Sequence, residues 1–138
     1  MSRVMAIDYG DARTGVALSD LGRSIVGSTC VVPSRVTDKA VADLVRISKE
    51  QEVGQIVVGL PKNMDGTEGP RAQLCREFAE VLKLATGLPV DMWDERRTTV
   101  EAHAILSQHN YHGQKRKNTV DAVAASLILE GYLAFLSR

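Results

Sequence analysis

Three acidic positions in this chain have the type and placement to act as one set: Asp8, the adjacent pair Asp94-Glu95, and Asp121. Val4-Met5-Ala6-Ile7 is an apolar run that ends in Asp8, and Val90–Trp93 leads into Asp94-Glu95. Asp121 stands three and four residues before Ala124 and Ala125, on a helical stripe that continues through Ile128, Leu129 and Tyr132. Acids at the rim of a core can be reached by water and by a cation. Mg²⁺ and Mn²⁺ prefer oxygen ligands, typically a few carboxylates with water and phosphate oxygens. Convergent carboxylates of this kind suit metal-assisted hydrolysis of a phosphodiester. Taken singly, each acid has a plainer reading. Asp8 is then the polar tip of a hairpin, Asp94-Glu95 a solvated strand end paired with Arg96 or Arg97, and Asp121 a helix-start carboxylate on backbone N–H groups. Strand alternation lets only one of Asp94 and Glu95 point where Asp8 points, and the spacing leaves open which. His103, His109 and His112 do not form a zinc-ligand pattern and read as surface residues.

Basic residues fall near these acids along the chain. Arg13 lies in the turn after Asp8, Arg96-Arg97 follow Asp94-Glu95, and Lys115-Arg116-Lys117 precede Asp121. Such groups can hold phosphates without reading bases, or can simply be solvated turns. One Trp, three Tyr and two Phe are too few to favour a stacking platform for single strands.

The elements that must carry these residues follow from hydropathy and punctuation. Arg3–Asp8 and Thr14–Ser19 read as a hairpin, with Gly10 and Gly15 bracketing its turn and able to take positive φ. Ser24–Val32 adds a third antiparallel strand, ended by Pro33. Thr37 can cap a helix that runs to about Glu52. Ile56–Leu60 is a buried strand stopped by Pro61, and the polar loop Lys62–Gly69 follows. Pro70 opens a helix to about Ala85, expected to bury Leu74, Phe78, Val81 and Leu82, with Gly87 as its C-cap. Val90–Trp93 is a fifth strand. Thr98-Thr99-Val100-Glu101 has capping-box spacing for a helix to about Gln108. Asn110–Asn118 reads as a loop, and the last helix begins near Asn118 or Thr119. Three strands followed by strand–helix alternation predict an α/β protein: one five-stranded mixed sheet, its first three strands antiparallel, flanked by helices.

The totals set limits on function. A length of 138 residues predicts one domain, residues 1–138. Seventeen basic residues balance seventeen acidic ones, so nucleic-acid binding would rest on local patches rather than a global field. Cys30 and Cys75 form no disulfide framework and suit a reducing cytoplasm. No apolar run approaches the length of a signal peptide or a membrane span, so a cytoplasmic location with no membrane partner is expected.

Four blocks resemble the YqgF family, the Holliday-junction-resolvase-like proteins also described as nucleases maturing the small-subunit ribosomal RNA precursor. They are Asp8–Ala17, Val58–Thr67 with Gly69-Pro70, Asp94–Thr99 and Val120–Ala125, in the family's order across the whole chain. The resemblance implies an RNase H-like fold and a cytoplasmic bacterial nuclease dependent on Mg²⁺ or Mn²⁺. By position it implies Asp8, Glu95 and Asp121 as the catalytic, metal-binding acids, with Asp94 in reserve. Arg13, Lys62, Asn63, Arg96, Lys115, Arg116 and Lys117 are then the candidates for nucleic-acid contact. Arg97 departs from the family's usual apolar residue. The implied substrate is precursor ribosomal RNA, cut to mature the 5′ end of 16S rRNA, with a possible ribosome partner. A branched DNA junction is the alternative, and would favour a homodimer over a monomer. A binding protein of nucleic acid or ribosome without significant cleavage is the reading from another class. A sugar-kinase-like phosphotransferase would need a second lobe and is disfavoured by length.

Overall fold

A computed structural model describes residues 1–96 and 113–137, with side chains for 1–96 and 120–137. The strands are β1 (Arg3–Asp8), β2 (Arg13–Ser19), β3 (Val26–Pro33), β4 (Val53–Leu60) and β5 (Val90–Asp94). The helices are α1 (Thr37–Glu50), α2 (Pro70–Thr86) and α3 (Gly113–Leu136). Arg97, the three histidines and the expected helix over 98–108 lie outside the described residues.

The sheet has the order β3-β2-β1-β4-β5. Strands β1, β2 and β3 pair antiparallel, whereas β4 and β5 run parallel to β1 on its other side. The mixed sheet with an antiparallel opening is therefore the expected one. Its central strand, β1, is sealed on both faces: Val4, Met5, Ala6 and Ile7 are all buried. Met5 and Ile7 join the layer beneath α1 and α2, with Val16, Val58, Phe78 and Leu82. Val4 and Ala6 join the layer beneath α3, with Ala17, Val57, Ala125, Ile128 and Leu129. The period of two along β1 therefore directs Asp8 to the α3 face, behind Val4 and Ala6.

Several local expectations change. Gly10 and Gly15 do not take positive φ; among the described glycines, only Gly66 and Gly87 do. Thr37 makes no cap hydrogen bond and is the first helical residue after Val36. Strand β4 starts at Val53, because Val53 and Gln55 extend its pairing with β1 across a register shift at Gly54. Helix α2 buries Ala72, Cys75, Phe78, Ala79 and Leu82, while Leu74 and Val81 are exposed. Counting only large apolar residues misplaced the stripe, because two alanines and a cysteine carry it. Pro70 opens α2 and Gly87, at φ 71°, caps it as expected. Helix α3 begins at Gly113, so Lys115-Arg116-Lys117 are helical rather than in a loop. Gln, Lys and Arg are good helix formers and extend the helix backwards from its apolar part. Among the described residues, no helix is long and apolar enough to cross a membrane.

Candidate active site

Asp8 ends β1, and Glu95 follows the last residue of β5. Because both strands run parallel to β4, the two acids emerge at the same edge of the sheet. Along β5, Trp93 packs into the α3 layer and Asp91 accepts a hydrogen bond from Tyr132 of α3. Glu95 shares their parity and turns the same way, whereas Asp94 turns outward. The Glu95 backbone N–H donates to the Leu60 carbonyl at 3.2 Å, which fixes the residue against the end of β4. Its carboxyl lies over Gly59, where an added Cβ would come within 2.2 Å of Glu95 Oε2. A side chain at position 59 would occupy the space the carboxyl now fills.

Asp121 comes from the other side, on α3. Its backbone carbonyl lies against Gly15 of β2, where a Cβ would stand only 2.0 Å from the Asp121 oxygen. Gly15 pairs in register with Asp8. The missing side chain thus lets the helix carry Asp121 down beside the end of β1. Ala124 and Ala125, both buried, keep the helix close over the next turn.

The electrostatics mark the acids as unsettled. The carboxyls of Asp8 and Glu95 face each other closely enough to share a hydrogen bond. Burial pushes Asp8 up to about 6; the nearby Asp121 charge adds to this and Arg71 opposes it. Burial also pushes Glu95 up to about 8, reinforced by the charge of Asp8 and again opposed by Arg71. Glu95 is 9% exposed, and its Oε2 has no hydrogen-bond partner among the described residues. Burial raises Asp121 as well, against the lowering effect of Arg13, whose Nε pairs with Asp121 Oδ2 at 3.3 Å. Buried acids without adequate partners are costly, and a cation is the partner that would relieve them.

A pH dependence follows. In the unfolded chain both acids titrate near ordinary carboxylate values; in the fold they hold their protons to higher pH. Their contribution to stability is complete below about pH 4 and is lost as pH rises through the folded values. Metal-free protein should therefore be less stable at pH 8 than at pH 5.5, on the order of 2 kcal/mol or more. Urea unfolding with chelator at the two pH values measures this, and the double variant Asp8→Asn/Glu95→Gln should flatten the dependence. An unchanged slope in that variant would assign the effect elsewhere.

Asp94 is occupied differently. Against a desolvation penalty, the Arg96 side chain and backbone N–H hold its carboxyl below the usual range. Arg96 Nε donates to Asp94 Oδ2 at 2.9 Å and Nη2 lies 2.7 Å from the same oxygen. Asp94 is exposed and Glu95 is buried. Strand alternation alone leaves the two acids open; β5 turns Glu95, not Asp94, toward Asp8.

The basic candidates divide. Arg13 lies in the site, on Asp121. Arg96 is tied to Asp94, and its Nη1 donates to the Met64 carbonyl at 3.4 Å, bracing the loop between β4 and α2. In that loop the Asn63 backbone N–H donates to the Thr67 carbonyl at 2.8 Å, and its Nδ2 donates to Thr67 Oγ1 at 2.9 Å. Asn63 thus closes a turn, while Lys62 is half-buried at the loop's base. The side chains of Lys115, Arg116 and Lys117 lie outside the described ones. Sequence reasoning passed over Arg71, in the first turn of α2. Its charge reaches both Asp8 and Glu95. No local signal marks it, because its partners Tyr9 and Asp11 lie on the β1–β2 turn, far from α2 in the sequence.

The donor set fits a hard divalent cation: carboxylate oxygens, with two carboxyls facing and one buried oxygen without a partner among the described residues. Among the described residues, no three acidic, histidine or cysteine side chains already enclose one ion. The third acid, Asp121, is engaged by Arg13 instead.

A family model described as "RuvX: Holliday junction resolvase" matches residues 2–135. A relative from Halothermothrix orenii, named "Putative pre-16S rRNA nuclease", is 43% identical over 138 residues, 99% of this chain and 97% of its own. One of the same name from Clostridium novyi is 46% identical over 132 residues, 95% of this chain and 97% of its own. Among solved structures, T. thermophilus RuvC in complex with a Holliday junction substrate has a TM-score of 0.60 at 13% identity, covering 99% of this chain and 97% of that one. The fowlpox virus Holliday junction resolvase also gives 0.60, at 15% identity, covering 97% and 99%. These two establish the RNase H-like fold. The match over nearly the whole chain, with relatives of this closeness, places the protein in the RuvX (YqgF) family of nucleases.

Proposed function

We propose that this protein is a divalent-cation-dependent endonuclease that cleaves precursor 16S rRNA, with Asp8, Glu95 and Asp121 as its metal-binding acids. The observation that carries the site assignment is the facing Asp8–Glu95 carboxyl pair, with Glu95 buried and its Oε2 without a hydrogen-bond partner among the described residues. The RNA substrate follows from the name carried by the full-length relatives. Asp8 and Glu95 would hold Mg²⁺ or Mn²⁺ at the ends of β1 and β5, with Asp121 joining them from α3. Held by these acids, the ion would supply a Lewis acid and would lower the pKa of a water molecule. In hydrolysis a water oxygen bonds to phosphorus, the bond to the leaving ribose oxygen breaks, and that oxygen takes up a proton. Arg13 stands at the same opening and offers its remaining N–H groups to phosphate oxygens. Arg96 holds Asp94 and the Met64 loop, and so shapes the rim.

Metal titration by calorimetry tests the acid set. Asp8→Asn and Glu95→Gln should each weaken Mn²⁺ binding by about tenfold or more, whereas Asp94→Asn should change it by less than about threefold. A larger loss in Asp94→Asn than in Glu95→Gln would overturn the assignment. The family description favours a second reading, cleavage of a branched DNA junction by the same acids.

A further inference from the structure

Arg71 has two kinds of partner. Its Nη2 donates to the backbone carbonyl of Tyr9, and its Cζ lies 5.2 Å from the centre of the Tyr9 ring. That ring is itself stacked on Phe78 of α2, with centroids 4.1 Å apart. These contacts anchor one edge of the guanidinium to fixed structure. The other edge is held more loosely. Nη1 donates to Asp11 Oδ1 at 2.8 Å, and the Asp11 side chain is 86% exposed at the tip of the β1–β2 turn. An ion pair so exposed contributes little, and its carboxylate exchanges readily for another anion.

We propose that Arg71 is a phosphate-binding residue for the nucleic-acid substrate, and that Asp11 covers its outer N–H edge until a phosphodiester takes that place. This rests on the nuclease reading of the acids and adds a grip on the strand beside them. A guanidinium fork matches two phosphate oxygens, and one already braced by Tyr9 loses little freedom on binding. Arg71 holds the carbonyl of Tyr9, the residue after Asp8, and its charge acts on both Asp8 and Glu95, so a phosphate seated there lies on the acid pair's side of the β1–β2 turn. Asp11 fits as a stand-in: it carries the charge of a phosphodiester and sits on the solvent side. Arg13 differs, because its partner Asp121 is itself one of the acids.

The test is binding of a fluorescein-labelled single-stranded RNA of about 20 nucleotides, read by anisotropy with Ca²⁺ in place of Mg²⁺ at several salt concentrations. Arg71→Gln should weaken binding by about tenfold and reduce the salt slope by about 0.7, the share of one phosphate contact. Arg71→Lys keeps the charge without the fork and should fall between. Asp11→Asn should tighten binding by about threefold, and this gain should vanish in the Arg71→Gln background. A structural role for the pair predicts the opposite sign for Asp11→Asn, since the turn would loosen; melting curves of all variants report that loosening. An unchanged salt slope in Arg71→Gln would overturn the proposal. So would an Asp11→Asn gain that persists without Arg71, because it would then be general charge repulsion. Wild-type protein that binds RNA with these dependences but never cuts it would count against the nuclease reading alone.

Discussion

Glu95→Gln is expected to reduce cleavage by about 10³-fold or more while making the metal-free protein more stable at pH 8. The substitution keeps size and shape, so the space over Gly59 stays filled. It removes a buried charge that faces Asp8, and an amide N–H can then donate to the Asp8 carboxylate. Relief of that repulsion should raise stability by roughly 1–3 kcal/mol, an order-of-magnitude figure for uncompensated buried charge. The same change removes a hard anionic ligand. Loss of an outer partner to a metal ligand costs about 10–100-fold, so loss of the ligand itself should cost more. Opposite signs for stability and activity are the signature of a group kept for function. Thermal melts with chelator, paired with an RNA cleavage assay, measure both. A variant that cuts within about tenfold of wild type would remove Glu95 from the site.

Gly15→Ala should be severe for a different reason. The added Cβ would fall 2.0 Å from the Asp121 carbonyl oxygen, and both partners are backbone. Neither can rotate away as a side chain would. Helix α3 would have to lift from β2, opening the layer formed by Ala17, Ala125, Ile128 and Leu129. Overpacking typically costs about 1–3 kcal/mol, and with no flexible neighbour to yield the upper end is expected, about 3 kcal/mol. Asp121 would move with the helix. Since a misplacement of about 1 Å at a reacting centre can cost about 10²-fold, cleavage should drop by that order even in folded protein. Urea unfolding and kcat on the folded fraction separate the two effects. A stability loss below about 0.5 kcal/mol would mean that the helix does not need this approach.

The frame of the protein was legible because its signals are local. The apolar runs ending in Asp8, Pro61 and Asp94 are strands, and the Ala124–Tyr132 stripe is the buried face of α3. The acids were legible as positions, each at the end of such a run. What stayed hidden depends on which face each strand turns to which helix. Glu95 rather than Asp94 turns toward Asp8 only because α3 covers the Trp93 side of β5. Gly15 read as a turn glycine, since sequence records nothing of a helix arriving from a hundred residues later. Arg96 reads from sequence either as a phosphate contact or as the partner of Asp94-Glu95; the fold pairs it with Asp94 and also ties it to Met64. Arg71 was missed because its partners, Tyr9 and Asp11, lie on another element.

The most direct measurement of the central claim is cleavage of a labelled precursor 16S rRNA carrying its 5′ extension, alongside a four-way DNA junction. Wild type and Asp8→Asn would be compared with Mg²⁺, Mn²⁺ and EDTA. Wild type should cut the RNA with either metal, EDTA should stop it, and Asp8→Asn should not cut. Cutting of the junction alone, under the same controls, would keep the acids and contradict the RNA substrate. RNA bound but uncut by excess wild type would rule out the nuclease, and RNA cut equally well by Asp8→Asn would remove Asp8 from the site.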